Sequence, residues 1–425
     1  MAHEVAESAG VGTIEDQIAP QQRLGTFYSL RYPDFNLLLQ GQIGAAASMW
    51  MENIARPLLI YELTDSALMV GLLHATRMAP QLLLGIWAGV IADRMDKRKI
   101  LLISKTVTLT SMAVTALLII SGVITPWMVF VTTFITGSSM AFDGPARQSL
   151  IPRLVPERSL ANAIALNLAA MNLMRIGGPS LAGLILVFFD FGPLYVIQSA
   201  MYAWVIFCTL RIKTRTEEQK RVGGSMFAEL VEGFEAVKRD RIIFYILILC
   251  LSMFVLGFPY QGLFIPLIAV EELDIGKSGA GLLISVTGIG AIIGSLSIAT
   301  YGDRLPGRGF WLLAFIIIFG LALLLFAQTQ FIPLVILALI VTGGMQTAFM
   351  SLNNAYVLQR TAPALQGRVM SLFSLDRGLM PLGAALGGFL AEELGPSTGL
   401  SIMAGLCIGC TLVLTILVPS LRRIR

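Results

Sequence analysis

Twelve runs of about twenty or more mostly apolar residues fill this 425-residue chain. A bilayer core takes about 20 such residues per helix. In lipid, each segment must also satisfy its own backbone hydrogen bonds. The chain therefore reads as an all-α membrane protein with twelve transmembrane helices. The expected spans are 34–62, 66–92, 99–122, 126–151, 157–188, 191–212, 241–270, 277–301, 309–328, 331–360, 366–392 and 397–420. Thr125-Pro126, Gly192-Pro193, Ile332-Pro333 and Gly395-Pro396 mark tight turns between spans. Only 13% of residues are charged, against about 25% in soluble domains. That balance excludes an ordinary cytosolic enzyme, a disordered chain and a disulfide scaffold. Cys208, Cys250, Cys407 and Cys410 lie in apolar runs and read as small hydrophobes.

Lys and Arg fix the expected topology. Basic residues crowd the breaks after helices 2, 4, 6, 8 and 10, while the alternate breaks hold Glu62, Asp65, Asp190, Glu271, Glu272, Asp274, Glu392 and Glu393, with Lys277 the one basic residue among them. The basic side is cytoplasmic, so both termini face the cytoplasm, as an even number of spans also requires. The expected organisation has five parts: a tail over 1–33, a six-helix bundle over 34–212, a linker over 213–240, a second bundle over 241–420 and a tail over 421–425. Met226, Leu230, Val231, Phe234 and Val237 recur at helical spacing in the linker, which reads as an amphipathic surface helix.

The two bundles echo each other. Asp93, Arg94 and Arg98 after helix 2 match Asp303, Arg304 and Arg308 after helix 8 at one constant offset. A repeat of six spans keeps its topology, so the halves are parallel six-helix repeats. The loop Gly89-x-x-x-Asp93-Arg94-x-x-x-Arg98-Lys99 resembles the signature loop of the major facilitator superfamily. That resemblance implies the major facilitator fold. It also implies a cytoplasmic latch that ties the halves together when the cavity opens outward. The latch candidates are Gly89, Asp93, Arg94, Lys97, Arg98, Asp143, Arg147, Asp303, Arg304 and Arg308.

A narrower resemblance lies in Asp143-Gly-Pro-Ala-Arg147, Ile151-Pro152-Arg153 and Arg175-Ile-Gly-Gly178-Pro179. These runs are similar to the branch holding enterobactin exporters and macrolide efflux proteins. Gly177, Gly178, Pro179 and Gly183 on helix 5, with Pro381, Gly383, Gly387 and Gly388 on helix 11, permit either bending or close helix approach.

Ionisable side chains at mid-membrane cost about 2.5–3.5 kcal/mol on insertion scales, so they point to function by default. Helix 1 carries Glu52 and Arg56, and helix 2 carries His74 and Arg77. If these helices form a hairpin turning near residue 63, Glu52 and Arg77 share a depth about 17 Å from the outer end, at 1.5 Å per residue. They are a candidate buried pair, structural or cavity-facing, with Glu52 as the preferred proton-coupling residue. Arg175 on helix 5 and Asp376 and Arg377 on helix 11 fall in the central thirds of their spans. Further cavity candidates are Asn167, Asn172, Tyr260, Gln261, Gln346, Asn353 and Asn354, with Trp50, Phe258 and Phe264 as aromatic surfaces for a ring or as plain packing. Amides can also join helices without binding anything.

The sequence has no phosphate-binding loop and only two histidines, so neither ATP hydrolysis nor a histidine metal site is expected. It has no soluble basic domain for nucleic acid. The expectation is a monomeric, non-enzymatic secondary transporter in the bacterial inner membrane. It would need no cofactor and would use the proton gradient to export a small amphipathic molecule such as a siderophore or an antibiotic. Movement of lysophospholipid or a lipid-like metabolite, or sensing without transport, is the alternative.

Overall fold

The computed structural model describes residues 25–214, 237, 238, 240–305, 307–361 and 366–422. Among them no strand occurs, and twelve long helical spans follow one another. They are α1 (Pro33–Thr64), α2 (Ala67–Arg94), α3 (Lys97–Ile120), α4 (Pro126–Leu154), α5 (Glu157–Phe188), α6 (Phe191–Arg211), α7 (Arg241–Glu271), α8 (Gly276–Tyr301), α9 (Arg308–Gln328), α10 (Ile332–Arg360), α11 (Gln366–Leu394) and α12 (Pro396–Leu417). Nine of these are long and apolar enough to cross a bilayer among the described residues. The other three, α1, α4 and α11, carry the charged pairs Glu52/Arg56, Asp143/Arg147 and Asp376/Arg377.

Local chemistry sets the helix ends. Pro33, Pro126 and Pro396 occupy first turns, where a missing N–H costs nothing. Ser66, Asp96 and Asp240 cap α2, α3 and α7 by accepting from Met69 N, Arg98 N and Ile242 N at 3.3, 2.8 and 3.0 Å. Gly395 joins α11 to α12 at φ 85°, a conformation open mainly to glycine.

The seventh span is not the continuous helix expected over 241–270. Regular helix runs over Arg241–Ser252, passes through a π turn at Met253–Gly257 and a 3-10 turn at Phe258–Tyr260, and resumes at Phe264–Glu271. Pro259 supplies no N–H to the ladder, which forces a break there. A Cβ on Gly257 would sit 2.5 Å from the Phe319 ring, so the broken segment presses closely on α9. Such irregular turns free backbone groups where a helix lines a cavity.

Within the first half, α1 packs on α5 and α6, and α4 packs on α2 and α3. In the second half α10 packs on α8 and α9, and α12 on α9. Two antiparallel pairs join the halves, α2 with α11 and α5 with α8. One apolar cluster runs from Met51 and Ile54 of α1 to Phe319 and Phe326 of α9. A second, around Phe35, Ala146, Leu150 and Ala163, sits beside the start of α1.

The start of α1 meets the end of α6, where Asp34 accepts from Thr214 N at 2.8 Å. The end of α1 meets the start of α8 through a Glu62–Lys277 ion pair. These contacts define a terminal face, which holds the start of α1, and a far face, which holds the α1–α2 and α7–α8 turns. The expected tail over 1–33 includes a short turn, Tyr28–Arg31, docked on α5. There Ser29 N donates to Asn162 Oδ1 at 3.0 Å, and Ser29 Oγ to Ser159 O at 3.2 Å. The expected amphipathic linker helix lies outside the described residues, apart from the segment ends.

Candidate functional site

Glu52 is buried on α1 between two arginines. Arg56, one turn on, donates from Nε to its carboxylate, and Arg77 Nη2 of α2 lies 3.4 Å from Glu52 Oε2. Arg77 Nη1 also donates to Asn53 Oδ1 at 2.7 Å. The hairpin depth reading thus pairs the right helices. The arginines are held unequally. Arg56, 1% exposed, donates to the hydroxyls of Thr132, Thr133 and Thr136 and to Val129 O, all on α4. Its donors are satisfied on one wall, so it pins α1 to α4 and is not a cavity residue. Among the described residues Arg77 has two partners, both on α1. The trio carries one carboxylate against two guanidiniums, an excess of one positive charge.

A second polar centre bridges the halves. Arg175 of α5 donates from Nη2 to Gln346 Oε1 of α10 at 3.2 Å. The Tyr260 hydroxyl, within the break in α7, donates to the same oxygen at 3.1 Å. The Arg175 guanidinium lies 5.5 Å from the Trp50 ring centroid on α1, a cation–π distance. Gln261 donates to Thr287 Oγ1 of α8 at 3.0 Å. His74 reaches across from α2, with its imidazole 2.7 Å from where a Cβ on Gly262 would stand. Trp50, His74, Arg175, Tyr260 and Gln346 therefore gather from both halves. Around them Trp50 Nε1, His74 Nε2, Arg175 Nε and Gln346 Nε2 are buried without a hydrogen-bond partner among the described residues.

The remaining candidates scatter. Asn353 is buried and donates to Cys250 Sγ at 3.1 Å, which makes it a tie between α10 and α7. Asn354 and Asn172 are exposed and Asn167 is half-buried. The side chains of Asp93, Arg94, Asp303, Asp376 and Arg377, and position 89, lie outside the described residues. Among the described residues, Arg98, Arg308, Asp143 and Arg147 have partners in their own half. Arg98 donates to Thr209 O at 3.1 Å and to Leu210 O, which places its charge on the carbonyl end of α6. Arg308 bonds Gln359 of α10. Lys97 is buried at the start of α3, and Arg304 is exposed.

Asp143 pairs with Arg147 one turn on and, at 2.7 Å, with Lys105 of α3. Sequence reading missed Lys105, whose ammonium also lies 5.7 Å from the Tyr202 ring on α6. Removing one partner of a buried pair strands the others. Asp143→Ala is therefore expected to destabilise the chain by about 3–5 kcal/mol, read as a large fall in melting temperature. Lys105→Met with Asp143→Leu should recover most of that loss.

The glycines of helices 5 and 11 stand at close approaches. A Cβ on Gly178 would lie 2.6 Å from Trp50 Cβ, on Gly183 2.9 Å from Ser278 O, on Gly387 3.0 Å from Leu263 Cδ2 and on Gly388 2.9 Å from Gly71 Cα. Gly177 meets only Met174 Cε, at 3.8 Å. Pro179 and Pro381 sit inside continuous helices. At the far face the halves are also tied by Glu62–Lys277 and by Glu392, which accepts from Ser66 Oγ and Leu68 N at 3.1 Å. None of these far-face residues was among the sequence candidates. The lone Lys277 amid acidic turns was the available signal.

The transmembrane secretion effector family matches residues 24–424, nearly the whole chain. The chain belongs to this family. Its members here fall in the major facilitator superfamily. The staphyloferrin A transporter of Staphylococcus aureus is 26% identical over 370 residues, covering 86% of this chain and 91% of that protein. Macrolide efflux protein A of Streptococcus pyogenes is 25% identical, covering 90% and 95%. The solved nucleoside transporter NupG shares the fold at a TM-score of 0.71 and 16% identity, covering 90% of this chain and 98% of that one. This secretion effector is thus a small-molecule transporter of the bacterial plasma membrane, not an enzyme.

Proposed function

We propose that the chain exports a small amphipathic molecule in exchange for protons, by alternating access, with both termini in the cytoplasm. The observation that carries this reading is Glu52, a buried carboxylate shared between one fixed arginine and one weakly held arginine. Arg77 rides on α2, which packs on α11 of the opposite half. As α2 follows α11 when the halves rock, it bends within its own half against α1, and Arg77 leaves Glu52. A carboxylate that loses a cationic neighbour binds a proton more readily. Proton binding at Glu52 and the side to which the chamber opens are then linked.

The basic loops flank the terminal face, which the proposal places in the cytoplasm. The far-face ties Glu62–Lys277 and Gly71–Gly388 support reading this conformation as the cytoplasm-facing state of the proposed cycle. The relatives named for staphyloferrin A and for macrolides support export of a siderophore or antibiotic-sized cargo. Cells expressing the chain should accumulate less of an added macrolide or siderophore than control cells. An uncoupler that collapses the proton gradient should restore accumulation. Export that persists with the gradient gone removes proton coupling.

A further inference from the structure

Four buried polar atoms lie where the halves meet without a hydrogen-bond partner among the described residues, and their chemistry is one-sided. Trp50 Nε1, Arg175 Nε and Gln346 Nε2 are N–H donors that cannot accept, and His74 Nε2 can do either. The Gln346 amide is oriented by two donors, Arg175 Nη2 and the Tyr260 hydroxyl, which both bond its Oε1. That assignment leaves its NH2 group as the free end. A buried donor without an acceptor costs about 1–3 kcal/mol, so a set of three favours a guest rich in acceptors.

Charge points the same way. Among the described residues no carboxylate bonds Arg175. The Glu52, Arg56 and Arg77 trio adds one uncompensated positive charge nearby on α1 and α2. We infer that Arg175, Gln346 and Trp50 form a receptor for a carboxylate-type anion on the transported molecule, a substrate class that rests on the transporter reading above. The Nε–Nη2 edge of Arg175 is a two-donor fork that fits the two oxygens of a carboxylate. The carboxylate takes Nη2 from Gln346 Oε1 and the free Nε, while Gln346 Nε2 and Trp50 Nε1 donate to the remaining lone pairs. The Trp50 ring, 5.5 Å from the guanidinium carbon, adds a cation–π contact on one side of Arg175. Trp50 and Arg175 belong to one half and Gln346 and Tyr260 to the other, so a bound anion bridges the two halves.

Three probes with one ring body separate the classes: 1-naphthoate, its neutral amide and the cationic 1-naphthylmethylamine. The readout is thermal stabilisation of the purified full-length protein, which tracks binding by mass action. Naphthoate should stabilise the protein at millimolar concentrations, and the amide and amine should not. In Arg175→Gln the naphthoate affinity should fall about 10- to 100-fold, the loss of a charge-assisted hydrogen-bonded pair. Arg175→Lys should retain part of it, and Gln346→Leu should weaken it less. If either arginine variant misfolds, naphthoate protection of Trp50 fluorescence from a neutral quencher, in a chain whose other four tryptophans are replaced by phenylalanine, reads the same site.

Stabilisation by all three probes alike, by the amine over the acid, or by none overturns the proposal, as does a folded Arg175→Gln that binds naphthoate normally. Drug accumulation in cells reports separately on export. Export of a cation without naphthoate binding removes the anion site and keeps the transporter. Naphthoate binding by a chain that exports nothing keeps the site and removes the export reading.

Discussion

Glu52→Gln is expected to reduce pH-driven export to the level of cells lacking the chain, while cargo binding persists. Glutamine keeps the shape of the side chain and an acceptor for Arg56 Nε, but it cannot carry a proton. Arg56 stays satisfied by its threonine cage on α4, and Arg77 keeps Asn53 at 2.7 Å. The variant should therefore fold, at a cost below the about 3–5 kcal/mol of an ordinary broken buried pair. Proteoliposomes separate the two roles of Glu52. Downhill exchange of cargo across the membrane should continue, because rocking between states no longer needs proton binding. Uphill movement driven by a pH step should vanish. If uphill transport survives in Glu52→Gln, the carboxylate is a structural pin and the proton is carried elsewhere.

Much of this frame was legible because membrane helices obey a simple rule of length and apolarity. The helix limits fall within three residues of the spans read from sequence. Glu52 and Arg77 could be paired by counting residues from a shared turn, since a hairpin places equal counts at equal depth. Counting fails once a partner comes from a distant helix. Arg56 looked like a cavity residue because the stripe of Thr132, Thr133 and Thr136 that consumes it reads, alone, as ordinary polar spacing on α4. Lys105 was overlooked because a single lysine near the basic end of α3 also fits the positive-inside rule. The break in α7 was signalled by Pro259, but the π turn ahead of it comes from packing on Phe319. The closure of the far face depends on which glycines meet, and helix pairing across the halves decides that.

That closure gives the second large effect. A Cβ on Gly71 would stand 2.4 Å from Ala384 O and 2.7 Å from Gly388 Cα, so it strikes backbone on α11 that has no rotamer to change. Gly71→Val therefore holds α2 and α11 apart. Overpacking in a core costs about 1–3 kcal/mol. Here the chain can relieve it by leaving the closed far face, because the contact lies between halves that separate in the proposed transport cycle. The expected outcome is loss of export with a folded protein trapped open at the far face. A reporter lies on the other helix pair: Ser180 of α5, whose hydroxyl bonds Ser285 of α8 at 2.8 Å behind the Gly183–Gly281 contact. A cysteine at 180 should resist a membrane-impermeant maleimide from outside in the parent chain and react readily once Gly71→Val is added. Cys208, Cys250 and Cys407 are buried, so with Cys410 replaced by serine the background is low. Because the reporter sits on α5 and the insult on α2, faster labelling means that the two pairs open as one gate. Unchanged labelling with intact export would mean that the Gly71–Gly388 contact is ordinary packing and that the seal lies elsewhere.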